Sequence, residues 1–571
     1  MKNTIRNIAI GVGTAALLFF SSCQREEKAV CPPAEGFLSS ETRRALQEWQ
    51  QHKFSMFIHW GLYSLPAGVW KGQRISGYSE QIMGHARIPK EEYELLARRF
   101  NPTRWDPDSV ALLARDAGMH TIVITAKHHD GFCMFHSKYT KYNVVDATPY
   151  GRDVVGELAE ACRRHGLKFG VYYSLIDWHY PGALPFTSTR NSDSIPPEHH
   201  QYNLHQIEEL LTKYGAISEI WFDMGSPTPK QSREVRELVK RIQPGCLISG
   251  RIWNDQGDFI VMGDNYRPRF HMGVPWQTPA SMFRETWGYR SWQERGDPQA
   301  KIREKIRDLL LVVSQGGNYL LNIGPAGDGE VIPFERKVLE GMGRWLKQNA
   351  EAVYGTHAVP LVPQPWGVAT ARPSHLYLHL LRPPDDSVVH VAGLRADIIK
   401  VTPLSNILHP LHWEQHADTL LIHIVPPPPG SLPAVLKVTL RGDPHYTPER
   451  VVSPAGDTLL LTPANAIAYH SFSGHDYYSL HPTIVRMVWY PALPASGTYT
   501  LHFAGTPPED YCLFVNGKGY PVPAILRETV IPSLHLEEGT TTKILLRRRD
   551  LTDPHKGLAT GGWKIILKRT I

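Results

Sequence analysis

The sequence predicts an α/β protein built as a (β/α)8-type barrel, followed by a C-terminal all-β sandwich region. Over residues 38–355, short apolar strand patterns alternate with amphipathic helix patterns, which is typical of a parallel sheet covered by helices. After Gly355 prolines accumulate, helical periodicity ends, and alternating apolar and polar residues take over. We therefore expect the barrel over 38–355, a β-sandwich over 356–445 and a further all-β region, either a separate domain or part of one larger sandwich, over 446–571.

The composition indicates a folded protein and argues against a nucleic-acid partner. Of the 571 residues, 42% are hydrophobic and 20% are charged, a balance that can build packed cores. The net charge is only +6 and the basic residues are scattered along the chain, so a nucleic-acid surface is not favoured. A chain of this length exceeds one ordinary core, which agrees with several domains.

The amino-terminal segment has the features of a bacterial lipoprotein signal. Two basic residues precede an apolar run over 8–20, which is too short to cross a bilayer as a mature helix. Small residues stand just before Cys23, so we expect residues 1–22 to be a signal peptide and Cys23 to carry the lipid. A simple secretory signal with a chance cysteine is the alternative. Residues 23–37 would tether an exported protein to a membrane, in the periplasm or at the cell surface.

The cysteines do not form a zinc or redox motif. Besides Cys23, the chain has Cys31, Cys133, Cys162, Cys246 and Cys512. None of them forms a C-x-x-C pair, so zinc-ribbon and thioredoxin-type interpretations fail. We expect most of them to be free and buried, and the spacing defines no disulfide.

Six strand candidates carry the barrel prediction. They are residues 54–60, 121–127, 168–174, 219–223, 247–251 and 318–323. Each is short, apolar and rich in β-branched or aromatic residues. Between them, Asp106 before Pro107 predicts a helix start and Gly118 predicts its end. Six or more such units favour a closed barrel, and the lack of a G-x-G-x-x-G after the first strand disfavours a dinucleotide-binding sheet.

Polar side chains stand at the carboxyl ends of these strands. In an α/β barrel, the reacting groups lie at this end. Strand alternation puts His59 at the mouth, although a core histidine is an equal alternative. His128 and His129 end the second strand and fit either a metal site or donors for sugar hydroxyls, of which we favour the second. Tyr173 shares a face with Val171 and is either a mouth residue or a core tyrosine.

Two carboxyl groups are the candidates for glycosidic chemistry. Trp221 and Asp223 share a face at the end of the fourth strand, and Arg251 follows the fifth as a partner for a carboxylate or a hydroxyl. A merely salt-bridged or capping aspartate is the alternative for Asp223. Glu285 lies among aromatic residues, and apolar surroundings raise the pKa of a carboxyl group as a general acid requires. Alternatives for this second role are Glu80, Asp264 and Glu294.

These segments together resemble the α-L-fucosidases of glycoside hydrolase family 29. The carrying segments are MFIHWG (56–61), KHHDGF (127–132), GRDVV (151–155), GVYYS (170–174), WFD (221–223), TWGY (286–289) and NYLLNIGP (318–325). The resemblance covers roughly residues 40–350 and continues weakly over 356–445. Each segment alone is weak evidence for the family, but seven of them in this order are a specific match.

The resemblance implies removal of terminal α-L-fucose with net retention of configuration. Asp223 matches the nucleophile, and Glu285 is our match for the acid/base. The positions that match fucose-binding residues are His59, His128, His129, Tyr173, Trp221 and Arg251. A retaining enzyme needs its two carboxyl groups about 5–5.5 Å apart. The family uses no metal, so the histidine pair is assigned to sugar binding, and we expect no metal or other cofactor.

The leading expectation is therefore a lipid-anchored exo-α-L-fucosidase that acts on a fucosylated oligosaccharide or glycoconjugate. Two alternatives stay open: a metal-dependent barrel hydrolase centred on His128, His129 and Asp223, and a non-catalytic glycan-binding lipoprotein. The chain departs from many relatives at Gln81, where they carry tryptophan, and at Gln277, where they carry glutamate. The second departure removes one candidate acid.

Overall fold

The computed structural model describes residues 31, 38–187, 193–473, 481–506, 509–524, 528–550 and 556–570. The expected signal peptide and Cys23 lie outside these ranges, and so does the rest of the expected tether except Cys31. Within the described ranges, no helix combines the length and the apolar character needed to cross a bilayer.

Eight parallel strands form the barrel. In chain order they are β1 (Phe54–Ile58), β2 (Thr121–Lys127), β3 (Lys168–Ser174), β4 (Glu219–Asp223), β5 (Leu247–Ile248), β6 (Ile260–Val261), β7 (Trp276–Ala280) and β8 (Asn318–Ile323). Strands that follow one another in the chain are neighbours in the sheet, and β8 pairs with β1. A parallel bridge between Ser249 and Phe259 joins the ends of β5 and β6 and closes the ring. The predicted barrel is confirmed, with β6 and β7 in addition to the six expected strands.

Long helices cover the outside of the barrel. They are α1 (Ser40–His52), α2 (Pro107–Asp116), α3 (Val154–Arg164), α4 (Pro197–Lys213), α5 (Pro229–Ile242), α6 (Pro298–Val313) and α7 (Pro333–Asn349). The Asp106 side chain accepts a hydrogen bond from the Ser109 N–H, as the N-cap pattern predicts. After β1 the chain forms a small hairpin (Val69–Trp70 with Gln73–Arg74) and two short helices (Ile82–His85 and Lys90–Glu94). Loops rather than long helices follow β5 and β6.

The strands bury both of their faces, in two separate cores. Inside the ring, a small core includes Phe57 of β1, Tyr172 of β3 and Trp221 of β4. On the outer face, Val171 and Tyr173 belong to the larger core that packs against the helices. Because both faces of a parallel sheet are apolar, hydrophobicity alone does not tell which face is inside.

A β-sandwich, here the sandwich unit, follows the barrel. Its five-stranded sheet has the order His357–Ala358, Gly367–Arg372, His375–Leu380, Ala434–Leu440 and Ile398–Pro403. Its three-stranded sheet has the order Val388–Ala392, Thr419–His423 and Trp413–His416, and Leu394–Arg395 pairs with His445–Tyr446. Leu378, Val391 and Val438 are part of the core of this unit.

A second all-β unit with its own core, here the C-terminal unit, ends the chain. One sheet has the order Thr458–Leu461, Trp563–Thr570, Gly497–Gly505 and Glu528–Leu536. The other has the order Lys518–Val522, Tyr511–Val515, Ile544–Arg548, His481–Trp489, Ile467–Ser473 and His271–Met272. Trp489 and Ile565 lie in its core. Since its core and that of the sandwich unit are separate clusters, the β region consists of two packed units.

The C-terminal unit is linked to other parts of the chain at two places. The strand His271–Met272 belongs to the β6–β7 loop of the barrel (residues 262–275), and it pairs with Tyr469 and His470 of the C-terminal unit. A disulfide joins Cys31 to Cys512. The free cysteines in the described residues, at positions 133, 162 and 246, are buried, as expected.

Candidate active site

A cavity at the carboxyl ends of the barrel strands collects most of the predicted site residues. The predicted residues that line it are His59, His128, His129, Trp221, Asp223 and Arg251. The consecutive histidines both reach it because β2 ends just before them, at Lys127. Phe57 and Trp287 add aromatic surface to the same cavity.

Asp223 is the carboxylate that the surrounding residues hold in its ionised form. Its Oδ1 accepts a hydrogen bond from Arg251 Nη1 at 2.7 Å, and its Oδ2 accepts one from the Tyr172 hydroxyl at 2.8 Å. Although burial acts to raise the pKa of Asp223, the positive charge of Arg251 and the two hydrogen bonds hold it below its usual value. A charged carboxylate at the mouth of the barrel is what a nucleophile requires.

Arg251 connects two carboxylates. Its Nη2 donates to Asp264 Oδ1 at 2.7 Å while its Nη1 holds Asp223. Its guanidinium also lies over the ring of Trp221, 4.8 Å from the ring centre. One cation therefore places the carboxyl groups of Asp223 and Asp264 at the same cavity, and both line it.

The imidazoles in the cavity are neutral at neutral pH. Burial lowers the pKa of His59 and of His129 to about 4. Asn322 Nδ2 donates to the Trp287 carbonyl, so Asn322 Oδ1 accepts from His59 Nδ1 at 2.7 Å. The Ser174 hydroxyl donates to the Ile176 carbonyl, so Ser174 Oγ accepts from His129 Nδ1 at 2.8 Å. In both rings Nε2 is thereby left as an acceptor for a hydroxyl group.

The geometry favours hydroxyl binding over metal binding by the histidine pair. Among the described residues, three potential ligand atoms come within 4.8 Å of one another at His412, Glu414 and His423, on the exposed surface of the sandwich unit. His128, His129 and Asp223 of the barrel also lie in the described ranges, and they do not form such a group. The metal-dependent alternative therefore gains no support from this cavity.

The prediction for Tyr173 was wrong, because its neighbour Tyr172 takes the place in the cavity. The Tyr173 hydroxyl lies 2.8 Å from both Asn203 Oδ1 and Gln206 Oε1, on the helix-covered face of β3. Lys127 Nζ lies 4.3 Å from the centre of its ring. The apolar pattern of β3 fits both faces, so alternation could not choose between the two tyrosines.

The structure places Glu285, the predicted acid/base, outside this cavity. Its side chain is exposed, it accepts a 3.4 Å hydrogen bond from Gln293, and it does not line the cavity. A bridge between Phe283 and Thr286 makes a turn around it, so its aromatic neighbours in the sequence do not surround it in space. Besides Asp223, the carboxyl groups that line the cavity are Glu80 and Asp264, which sequence reasoning offered only as alternatives.

Glu80 and Asp264 differ in their exposure to solvent. Glu80 is 2% exposed, and its Oε2 accepts the N–H groups of Trp287 and Gly288 at 3.1 and 2.8 Å. Burial raises the pKa of Glu80 to about 7, and the charge of Asp264 acts in the same direction. The Asp264 side chain is 23% exposed and is paired with Arg251. Glu80 is thus a fixed, often protonated group, whereas Asp264 contacts solvent.

The two departures from the family pattern have separate consequences. Gln81 lines the cavity, so a wall that is aromatic in many relatives is polar here. Gln277 is buried inside the barrel, and its Oε1 accepts a 2.9 Å hydrogen bond from Trp221 Nε1. Gln277 therefore orients the ring of Trp221 in this chain.

We expect Tyr172→Phe to lower kcat/KM about ten- to a hundredfold, because a hydrogen bond to a charged group contributes about 1.5–3 kcal/mol. Loss of the donor to Asp223 should also move the acidic limb of the pH–rate profile to higher pH. Tyr173→Phe is the matched control and should change the melting temperature but not the profile. Identical kinetic effects of the two variants would contradict the placement of Tyr172.

Comparison with known proteins agrees with this geometry. A family model described as alpha-L-fucosidase matches residues 22–351. The tissue alpha-L-fucosidase of Rattus norvegicus is 29% identical over 431 residues, which cover 70% of this chain and 90% of that protein. The plasma alpha-L-fucosidase of Homo sapiens is 31% identical over 404 residues, covering 65% and 84%.

Solved structures show the same relationship. The alpha-L-fucosidase from Vibrio sp. strain EJY3 superposes with a TM-score of 0.66 at 28% identity, covering 92% of this chain and 98% of that one. A trapped covalent intermediate of a GH29 alpha-L-fucosidase from Bacteroides thetaiotaomicron with 2-fluoro-fucosyl fluoride gives 0.63 at 26% identity, covering 70% and 96%. With its barrel, its cavity and these relatives, the chain belongs to the α-L-fucosidases of glycoside hydrolase family 29.

Proposed function

We propose that the protein is a retaining exo-α-L-fucosidase that hydrolyses terminal α-L-fucose from glycans by double displacement, with Asp223 as the nucleophile. The observation that carries this proposal is the ionised Asp223, held by Arg251 and Tyr172 at the mouth of the barrel. In the first step a carboxylate oxygen of Asp223 bonds to C1 of fucose as the bond to the leaving oxygen breaks. Water then displaces Asp223, and two inversions give net retention.

The remaining cavity residues fit the shape and polarity of fucose. The sugar has three ring hydroxyls, for which His59 and His129 offer neutral acceptors and Arg251 a donor. It also has an apolar methyl group at C5, for which Trp221 and Trp287 offer aromatic surface. Buried side chains fill the inside of the ring beneath the cavity, which suits removal of a terminal sugar.

Asp264 is the acid/base in this proposal. Such a group must protonate the departing oxygen and then take a proton from water, so it needs contact with solvent and with the outer part of the cavity. Asp264 has that exposure, so it takes up from solvent the proton that it gives to the departing oxygen, whereas Glu80 is held by two backbone N–H groups. When Asp223 becomes an ester it loses its charge, and Asp264 then remains as the charged carboxylate partner of Arg251 in the cavity. The ionised carboxylate needed as a base in the second step is thereby stabilised.

Glu80 acts as a protonated hydrogen-bond donor to the sugar. Because burial raises its pKa to about 7, the protonated form is lost as pH rises through about 7. We expect kcat/KM to fall on that alkaline side, mainly through KM. Glu80→Gln keeps a donor that does not titrate, so its alkaline limb should lie at higher pH. An unchanged limb in the variant would remove this role.

Trapping the covalent intermediate tests the proposed function directly. After incubation with 2-fluoro-fucosyl fluoride, peptide mapping should find the sugar on Asp223, and an aryl α-L-fucoside should be hydrolysed in preference to other aryl glycosides. A label on a different residue would refute the assignment. No turnover and no label would instead favour the non-catalytic glycan-binding alternative.

We further propose that the protein is exported and held at a membrane by a lipid on Cys23. The Cys31–Cys512 disulfide supports an oxidising compartment outside the cytoplasm. In a bacterial host, Cys23→Ser should move the protein from the membrane fraction to the soluble fraction, whereas Cys133→Ser should not. Equal membrane association of both variants would argue against the anchor.

A further inference from the structure

A second cavity, of about 410 Å³, lies on the outer side of the barrel. It is bounded by β7, β8, α6 and the β6–β7 loop. This loop stands where a helix would cover the strands of a regular barrel. Asn265 N–H donates to the Pro279 carbonyl at 2.9 Å, and Thr278 Oγ1 donates to the Tyr266 carbonyl at 2.9 Å. The loop is thus fixed on β7 and leaves a built cavity beside it.

The lining of this cavity has an excess of positive charge. Arg267, Arg269 and Arg284 line it, and none of these guanidinium groups has an ion-pair contact within the described part of the chain. Lys305 also lines it but is compensated, because its Nζ lies 3.0 Å from Glu304 and 3.7 Å from Asp308. Asp308 lines the cavity as well and interacts electrostatically with Arg267 and Arg284. Three arginines and one lysine against this one carboxylate leave the lining with a positive excess.

A buried tyrosine forms part of the wall of the same cavity. Tyr319 is 1% exposed, and its hydroxyl has no hydrogen-bond partner among the described residues. A polar group left unsatisfied in the interior is costly. The hydroxyl oxygen itself is shielded from solvent, so Tyr319 forms part of the cavity wall and its hydroxyl is not a contact for a ligand.

The rim of the cavity adds an aromatic surface. Tyr266 is 40% exposed and lines the cavity. An exposed ring beside guanidinium groups suits a ligand with an apolar sugar face and an anionic substituent, because rings stack on sugars and arginine binds oxyanions by paired hydrogen bonds. The volume of the cavity exceeds what water alone needs.

We propose that this cavity binds a sugar residue that carries an oxyanion, either a sulfate ester or a carboxylate. That this residue belongs to the fucosylated substrate rests on the proposed function. The β6–β7 loop connects the two sites, since it carries Asp264 into the catalytic cavity and Tyr266, Arg267 and Arg269 into this one. The site would thus select glycans in which an anionic sugar accompanies fucose.

Calorimetric titration of the full-length protein tests the proposal with four probes. They are N-acetylglucosamine 6-sulfate, glucuronic acid, N-acetylglucosamine and inorganic sulfate. We expect at least one anionic sugar to bind at least tenfold more tightly than the neutral sugar, and the better of the two identifies the oxyanion. Equal binding of the neutral sugar, or binding of inorganic sulfate without either anionic sugar, would overturn the proposal.

Variants separate this site from the catalytic one. Arg267→Ala with Arg284→Ala should weaken the anionic sugar at least tenfold and leave aryl fucoside hydrolysis unchanged, and Arg395→Ala in the sandwich unit is the control for surface charge. Binding should persist in Asp223→Gly, so a failure of the fucosidase assignment would not affect this readout. Unaltered binding in the variant that lacks both arginines would refute the site.

Discussion

Replacing Asp223 by glycine should lower turnover of an aryl α-L-fucoside by at least about a thousandfold while leaving the fold intact. The side chain supplies the nucleophile, and no other carboxylate contacts both Arg251 and Tyr172 in the described residues. It is 15% exposed at the end of β4, so its loss opens space at the cavity without creating a hole in the core. Steady-state kinetics and a thermal melt measure both parts of this expectation.

Azide distinguishes loss of the nucleophile from general damage. In Asp223→Gly, azide can occupy the vacated space and attack C1 directly, so activity should partly return and the product should be the β-L-fucosyl azide, with inverted configuration. Glu285→Ala is the matched control: its carboxylate is exposed outside the cavity, so the variant should behave like the parent protein. A near-normal rate in Asp223→Gly without azide would contradict the assignment.

The positions of the strand ends could be predicted from sequence, because a strand that turns polar at its carboxyl end marks the mouth of a barrel. His59, Trp221 and Asp223 lie where alternation puts them. Tyr172 and Tyr173 could not be separated in this way, since β3 is buried on both faces. The inner face of β3 is decided by pairing with β2 and β4, which is a non-local property.

The sequence offered Asp264 only as one of three alternatives for the second carboxyl group, and the reason is different. Asp264 follows β6, a strand of two residues that gives almost no periodic signal. The loop that carries it is held by pairing of His271 and Met272 with Tyr469 and His470, about two hundred residues away in the chain. The C-terminal unit thereby anchors the segment that brings Asp264 to Arg251, a link between the domain organisation and the cavity that composition alone does not reveal.

Replacing Asp264 by glycine is expected to have the second largest effect, and its size should depend on the leaving group. Natural fucosides need a proton on the departing oxygen, so their hydrolysis should fall by about a hundred- to a thousandfold. A dinitrophenyl fucoside hardly needs that proton, so its first step should survive and the covalent intermediate should accumulate. A burst of dinitrophenol followed by a slow steady state measures this directly.

The configuration of the azide product identifies the acid/base. In Asp264→Gly, azide should attack the fucosyl ester on Asp223 without help from a base, and the product should be the α-L-fucosyl azide, with configuration retained. In Glu80→Gln the carboxyl group is lost but the proposed proton donor is intact, so azide should not accelerate the reaction. If azide instead rescues Glu80→Gln with retention and leaves Asp264→Gly unaffected, the proton is transferred by Glu80, and the solvent-exposed carboxyl group on the β6–β7 loop serves only to hold Arg251 against the nucleophile.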